Sequence, residues 1–115
     1  VHELSIALGI IEGAEEEVER QGGGRVHAVH LKLGPLSGVV KEALLFSYEL
    51  ACEGTALEGS TLLIEDTPLR IWCARCASEQ SPVALNQLTC AICGSAAARV
   101  TQGDQLEVTG LELQT

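Results

Sequence analysis

Between residues 2 and 20, apolar side chains return at helical spacing: Leu4, Leu8, Ile11 and Val18, with Ala7 and Ala14 widening the stripe. Glu12, Glu15, Glu16, Glu17 and Glu19 fall mostly off that stripe, so the segment predicts one amphipathic helix. Gln21-Gly22-Gly23-Gly24 should end it, because glycine accepts the positive φ that a helix C-terminus needs. No Gly-Lys-Ser/Thr follows these glycines, which excludes a phosphate loop. The period then changes to two. Over residues 25–33, Val29, Leu31 and Leu33 share one face while His30 and Lys32 share the other, which predicts a strand stopped by Gly34-Pro35. A second helix is expected from about Val39 to Cys52, with Val39, Ala43, Phe46 and Leu50 as its buried stripe. Thr61 to Trp72 predicts a second strand, in which Pro68 cannot donate to a ladder and so marks a bulge, an edge or a break. Alternation resumes from Gln105 to Leu113, a last strand that most simply returns to the first sheet.

These elements predict an α+β fold. A two-helix domain with a three-stranded sheet takes residues 1–72 plus 100–115, and residues 73–99 form an inserted module. That module carries the strongest chemical signal in the chain, Cys73-x-x-Cys76 and Cys90-x-x-Cys93, with 13 residues between the pairs. Each pair puts two thiolates on one turn of chain, and two such turns facing each other make a tetrahedral four-sulfur cage. The cage suits Zn²⁺ and leaves no position open for water, so the expected role is structural, in the manner of a zinc ribbon. Two disulfides, or a rubredoxin-type iron centre, would use the same residues.

Charge and composition narrow the function. The net charge of −9 repels phosphate backbones, and ionising four thiolates around one Zn²⁺ adds two further negative charges. The inserted module holds Arg75 and Arg99 against Glu79, a net +1, so the remaining segments carry −10. No apolar run approaches the roughly 18–20 residues of a membrane span. The start Val1-His2-Glu3-Leu4 lacks the basic and apolar regions of a signal peptide, and paired metal-type cysteines then point to the cytoplasm. Neither nucleic acid nor a membrane is expected as a partner. With the four cysteines on metal, no Ser/His/Asp or Cys/His constellation is left for catalysis, so the chain reads as a non-enzyme. His27 and His30 read as surface residues, because their spacing does not put them on one strand face. Cys52 reads as a small buried helix residue, and Glu15 to Glu17 as a solvated helix face that could attract a basic partner.

Several of these features occur together in one known family. His2-Glu3 followed by Leu4-Ser5, the Gly34-Pro35-Leu36-Ser37-Gly38 turn, Phe46, Gly54-Thr55, Glu58-Gly59, the strand Leu62 to Glu65 and both cysteine pairs resemble the HypA/HybF hydrogenase-maturation nickel chaperones. The resemblance implies nickel delivery to the precursor of the [NiFe]-hydrogenase large subunit, with a HypB-type GTPase as partner. A homodimer is compatible with the sequence without being required by it. The family begins Met-His-Glu, whereas residue 1 here is Val1, the letter that a GTG start codon gives when read literally.

A nickel site at that end is chemically reasonable. Ni²⁺ in a tetragonal field favours nitrogen and promotes deprotonation of backbone amides. The Val1 amine, the His2 amide nitrogen and the His2 imidazole Nδ1 close adjacent chelate rings, and amine and imidazole both lose protons near neutral pH. The Glu3 amide or carboxylate, or a group on a partner, completes the set. The alternatives are plainer: His2 as a frayed terminal residue and Glu3 as an acid favoured in a first helical turn. A different class of function, a zinc-ribbon adaptor in transcription or protein assembly, stays open on the cysteines alone. A rubredoxin-like electron carrier does too.

Overall fold

The structure is a computed structural model that describes residues 2–114. Helix α1 (Glu3–Arg20) carries Glu3 in its first turn and Arg20 in its last, each favourable to the helix dipole. The glycine run closes it in a Schellman arrangement. The Gly23 amide donates to the Val18 carbonyl at 2.8 Å and the Gly22 amide to Glu19 at 3.1 Å, with both glycines at positive φ. Strand β1 (Arg25–Leu33) follows, then α2 (Lys41–Ala51) and β2 (Thr61–Asp66). After these come β3 (Arg70–Cys73), β4 (Ser78–Gln80), β5 (Pro82–Ala84), β6 (Gln87–Cys90), β7 (Arg99–Gln102) and β8 (Leu106–Gln114).

The strands form three sheets, in the orders β2-β1-β8, β4-β3-β7 and β5-β6. The last strand therefore does return to the first sheet, beside β1. The expected second strand is two strands, since Thr67-Pro68-Leu69 interrupts it and β3 belongs to a different sheet. A proline without an amide proton marks that break.

Two compact units result. One comprises the residues through Lys32, Gly38–Glu65 and those from Glu107; the other comprises Leu33–Ser37 and Asp66–Leu106. The second unit thus extends beyond the cysteine segment, because β3 pairs with β7 on either side of it and the 33–37 turn joins the same backbone network. All the net charge lies in the first unit, which holds 13 acidic side chains against 4 basic ones, while the second holds 3 against 3.

The core of the first unit is aliphatic. Ala7, Ile11, Ala14 and Val18 of α1 pack with Val26, Val29 and Leu31 of β1 and with Leu44, Tyr48 and Cys52. This corrects the expected stripe of α2. Leu44, Tyr48 and Cys52 are buried, whereas Phe46 is 65% and Leu50 51% exposed. Leu4 and Leu8 of α1 are likewise about half exposed, 52% and 51%. Tyr48 keeps its buried hydroxyl satisfied by Ser60 Oγ at 2.7 Å.

The Gly54-Thr55…Glu58-Gly59 stretch closes α2. Thr55 Oγ1 donates to the Cys52 carbonyl at 2.7 Å, and the Gly54 amide, at φ +78°, donates to Glu58 Oε1 at 2.8 Å. That motif does structural work, satisfying groups left over where the helix stops.

Candidate metal centres

Strands β3 and β6 end on Cys73 and Cys90, so each delivers the first cysteine of a pair into the buried part of the second unit. The chain then turns and brings Cys76 and Cys93 back, both partly exposed. The four Sγ atoms all lie within 4.8 Å of one another. Cys73 Sγ stands 3.5 Å from Cys93 Sγ, and Cys76 Sγ 3.9 Å from Cys90 Sγ. A tetrahedron with metal–sulfur bonds of about 2.3 Å has edges of about 3.8 Å, so the cluster has the size of a four-thiolate cage. All four are free cysteines, placed where they could hold one metal ion together.

The two turns are built alike. The Cys76 amide donates to Cys73 Sγ and the Ile92 amide to Cys90 Sγ, each at 3.4 Å. Directly after each second cysteine the backbone enters the left-handed region, at Ala77 (φ +52°) and Gly94 (φ +74°). Hydrogen bonds from the Ser95 side chain and then its backbone hold the Cys93 thiol well down, at about 6. Cys76 is pushed up to about 12, first through its hydrogen bond with Cys93 and then through that with Cys73. Within the cluster, one thiol is thus held down while another is pushed up. A divalent cation removes that conflict, since a coordinating thiol is deprotonated outright. Cys52 takes no part. It is buried in the other unit, and burial pushes its thiol up, which keeps it neutral and inert.

Of the expected nickel site, His2 and Glu3 lie in the first unit. Val1 lies outside the described residues. His2 is exposed, stands at the N-cap of α1 in extended geometry (φ −91°, ψ 98°) and makes no side-chain capping bond. Glu3 has a task that sequence reasoning missed: its Oε2 accepts the Val40 amide at 3.4 Å. Val40 is the N-cap of α2, and the residue three positions on, Ala43, has no carboxylate to reach back to its amide as in a capping box, so a carboxylate from α1 serves there. No local signal announces this, because the two residues are 37 positions apart. His27 is exposed, and His30 Nε2 pairs with Glu112 Oε2 at 2.6 Å across the sheet. Those two histidines do not join His2 in any cluster of three or more ligands among the described residues.

Residues 1–113 match the family described as hydrogenase/urease nickel incorporation, metallochaperone, hypA. The chain belongs to the HypA family. Among relatives, the hydrogenase maturation factor HypA of Roseiflexus sp. (strain RS-1) is 43% identical over 114 residues, covering 99% of this chain and 93% of that one. The HypA of Nitrosospira multiformis is 42% identical over 115 residues, covering 100% and 99%. The solution structure of the nickel metallochaperone HypA from Helicobacter pylori superposes with a TM-score of 0.68 at 24% identity, covering 98% of this chain and 97% of that one. A second HypA solution structure gives 0.75 at 24%, covering 98% and 96%. At that identity the two structures speak for the fold alone. The fold is the α+β arrangement of HypA, and the function is that of a nickel metallochaperone in hydrogenase maturation. The adaptor alternative has no support among these likenesses. No helix among the described residues is long and apolar enough to cross a membrane.

Proposed function

We propose that Cys73, Cys76, Cys90 and Cys93 hold a structural zinc ion and that nickel, the cargo, binds apart from it. The nickel set is the amine of Val1, the amide nitrogen and imidazole Nδ1 of His2, and a fourth group from Glu3 or a partner. The observation that carries this division is the four-sulfur cluster itself, whose closed geometry suits a resident ion and leaves no position for exchange. The exposed His2, with no capping bond to its side chain, supports the second half. First-turn amides of a helix also lack intrahelical partners, so the Glu3 nitrogen is open to a metal even while its carboxylate holds Val40.

The cargo passes to the precursor of the [NiFe]-hydrogenase large subunit, with a HypB-type GTPase supplying the nucleotide-driven step, in the cytoplasm. The chain itself is a carrier and not an enzyme. A homodimer is compatible with this reading without being required by it, and sedimentation equilibrium tests it directly.

Metal analysis decides the assignment of ions. Purified protein should contain about one zinc per chain. Nickel titrated into protein with a free amine at residue 1 should bind as a separate event. His2→Ala should abolish that event and leave zinc and the helical circular dichroism unchanged, and acetylation of the amine should weaken it. Binding should also weaken in acid, because the imidazole ligates only when deprotonated. Unchanged nickel binding by His2→Ala would move the site elsewhere, with His27 and His30 next to be tested.

A further inference from the structure

Two contacts show that α1 and α2 run in the same direction along one face of the first unit. Glu3 accepts the Val40 amide at the start of both helices, and Glu15 accepts the Ala56 amide, 3.4 Å away, just beyond the end of α2. A groove of about 410 Å³ lies between them, walled by Leu8, Ile11, Glu12 and Glu15 on one side and Ala51 and Thr55 on the other. Leu4 continues the α1 wall one turn before Leu8. On α2 it is Ala51 that reaches the groove, while Leu50 and Phe46 lie round on the outer side of that helix. Leu4 and Leu8 are both about half exposed. The far half of the groove is different, because Glu12, Glu15, Glu16 and Glu19 line it without any basic side chain. Apolar surface at one end and carboxylates at the other form a graded seam about 23 Å long from residue 4 to residue 19.

We propose that this seam is the docking site for a basic amphipathic helix of a partner protein, its apolar stripe over Leu4 and Leu8 and its lysines or arginines over the four glutamates. Charge complementarity selects that occupant. The first unit carries 13 acidic side chains against 4 basic ones, so a cationic helix is drawn in and oriented by the acidic half. The same balance rejects a second copy, whose matching groove would bring glutamates against glutamates. A helix lying in an apolar groove is an established mode of recognition, with anchors one turn apart. The seam starts beside His2 and Glu3, so the bound helix would end next to the chain's first residues. It does not require nickel, and the proposal stands apart from the assignment of the metal.

The test uses the whole protein without added nickel. The probe is a synthetic helix of about 16 residues, with leucines at i, i+3, i+4 and i+7 in one half and lysines in the other. A scrambled peptide of the same composition and a glutamate-for-lysine version are the controls. The probe should bind, shift the amide resonances of α1 and α2, and weaken as salt is raised. Leu4→Ser with Leu8→Ser should lower its affinity roughly tenfold or more, since two anchors are lost. Glu12→Lys with Glu16→Lys should do the same through charge. These side chains are exposed, so the variants should keep the parent circular dichroism. Equal binding of the scrambled peptide, unchanged affinity in both double variants, or resonance shifts confined to β8 or to the second unit would overturn the proposal. So would a dimer that Leu8→Ser converts to monomer, since the occupant would then be a second copy.

Discussion

Gly34→Ala tests how closely the 33–37 turn and the segment before β8 approach each other. A Cβ on Gly34 would collide with the carbonyl of Gly103 and stand 2.9 Å from the Asp104 amide, where ordinary contact begins at 3.4 Å. Relief requires the two backbones to part by roughly 1 Å. Two hydrogen bonds span that contact: the Gly34 amide to the Gln105 carbonyl at 2.8 Å and the Leu36 amide to the Gly103 carbonyl at 2.7 Å. Losing them costs about 1 kcal/mol each, and overpacking adds about 1–3 kcal/mol. The expected loss is therefore about 3–5 kcal/mol in the second unit, a large part of a small domain's stability. Gly13→Ala is the natural contrast. It lies inside α1 with nothing within 4 Å of the new methyl, so it should stabilise the helix by about 0.8–1 kcal/mol. Two probes separate the effects. Trp72, the only tryptophan, lies in β3 of the second unit, and both helices lie in the first. Urea unfolding followed by tryptophan fluorescence should show the Gly34→Ala loss, and circular dichroism at the helix band should show the Gly13→Ala gain. A fluorescence transition for Gly34→Ala within about 0.5 kcal/mol of the parent would refute the backbone contact.

Leu44→Ala should cost about 2–5 kcal/mol because Leu44 is fully buried. Phe46→Ala should cost no more than about 0.5 kcal/mol, and the reverse ranking in thermal unfolding would restore the stripe expected from periodicity. At the two left-handed positions, Gly94→Ala should destabilise the second unit by about 1–2 kcal/mol. Ala77→Gly should instead stabilise it, which fluorescence-monitored unfolding of the two variants checks. In metal-free protein, thiolate absorbance should show a first ionisation at about 6, where Cys93 is held down, and Cys93→Ser should remove it. A lowered acid stabilises the fold above its unfolded pKa and loses that contribution as pH falls through the folded one, so this share should fade from about 9 toward 6.

The sequence alone was enough for whatever depends on neighbours a few residues apart. The limits of β1 at Arg25 and Leu33 follow from a period of two closed by glycines on both sides, and α1 ends where glycine permits positive φ. The cysteine pairs announce a four-sulfur cluster because two ligands on one turn need only local geometry. Periodicity also anticipated a last strand in the first sheet, and Pro68 flagged the break that separates β2 from β3.

Tertiary structure decided the rest. Helix α2 is apolar nearly all round, with Leu44, Leu45, Phe46, Tyr48 and Leu50, so more than one stripe could face inward. The packing of α1 and β1 chose Leu44 and Tyr48 and left Phe46 and Leu50 in solvent. Glu3 reached the α2 N-cap across 37 positions. Those outcomes depend on which groups meet in space, and residue spacing along a chain carries no information about contacts that form only after the helices and strands have packed.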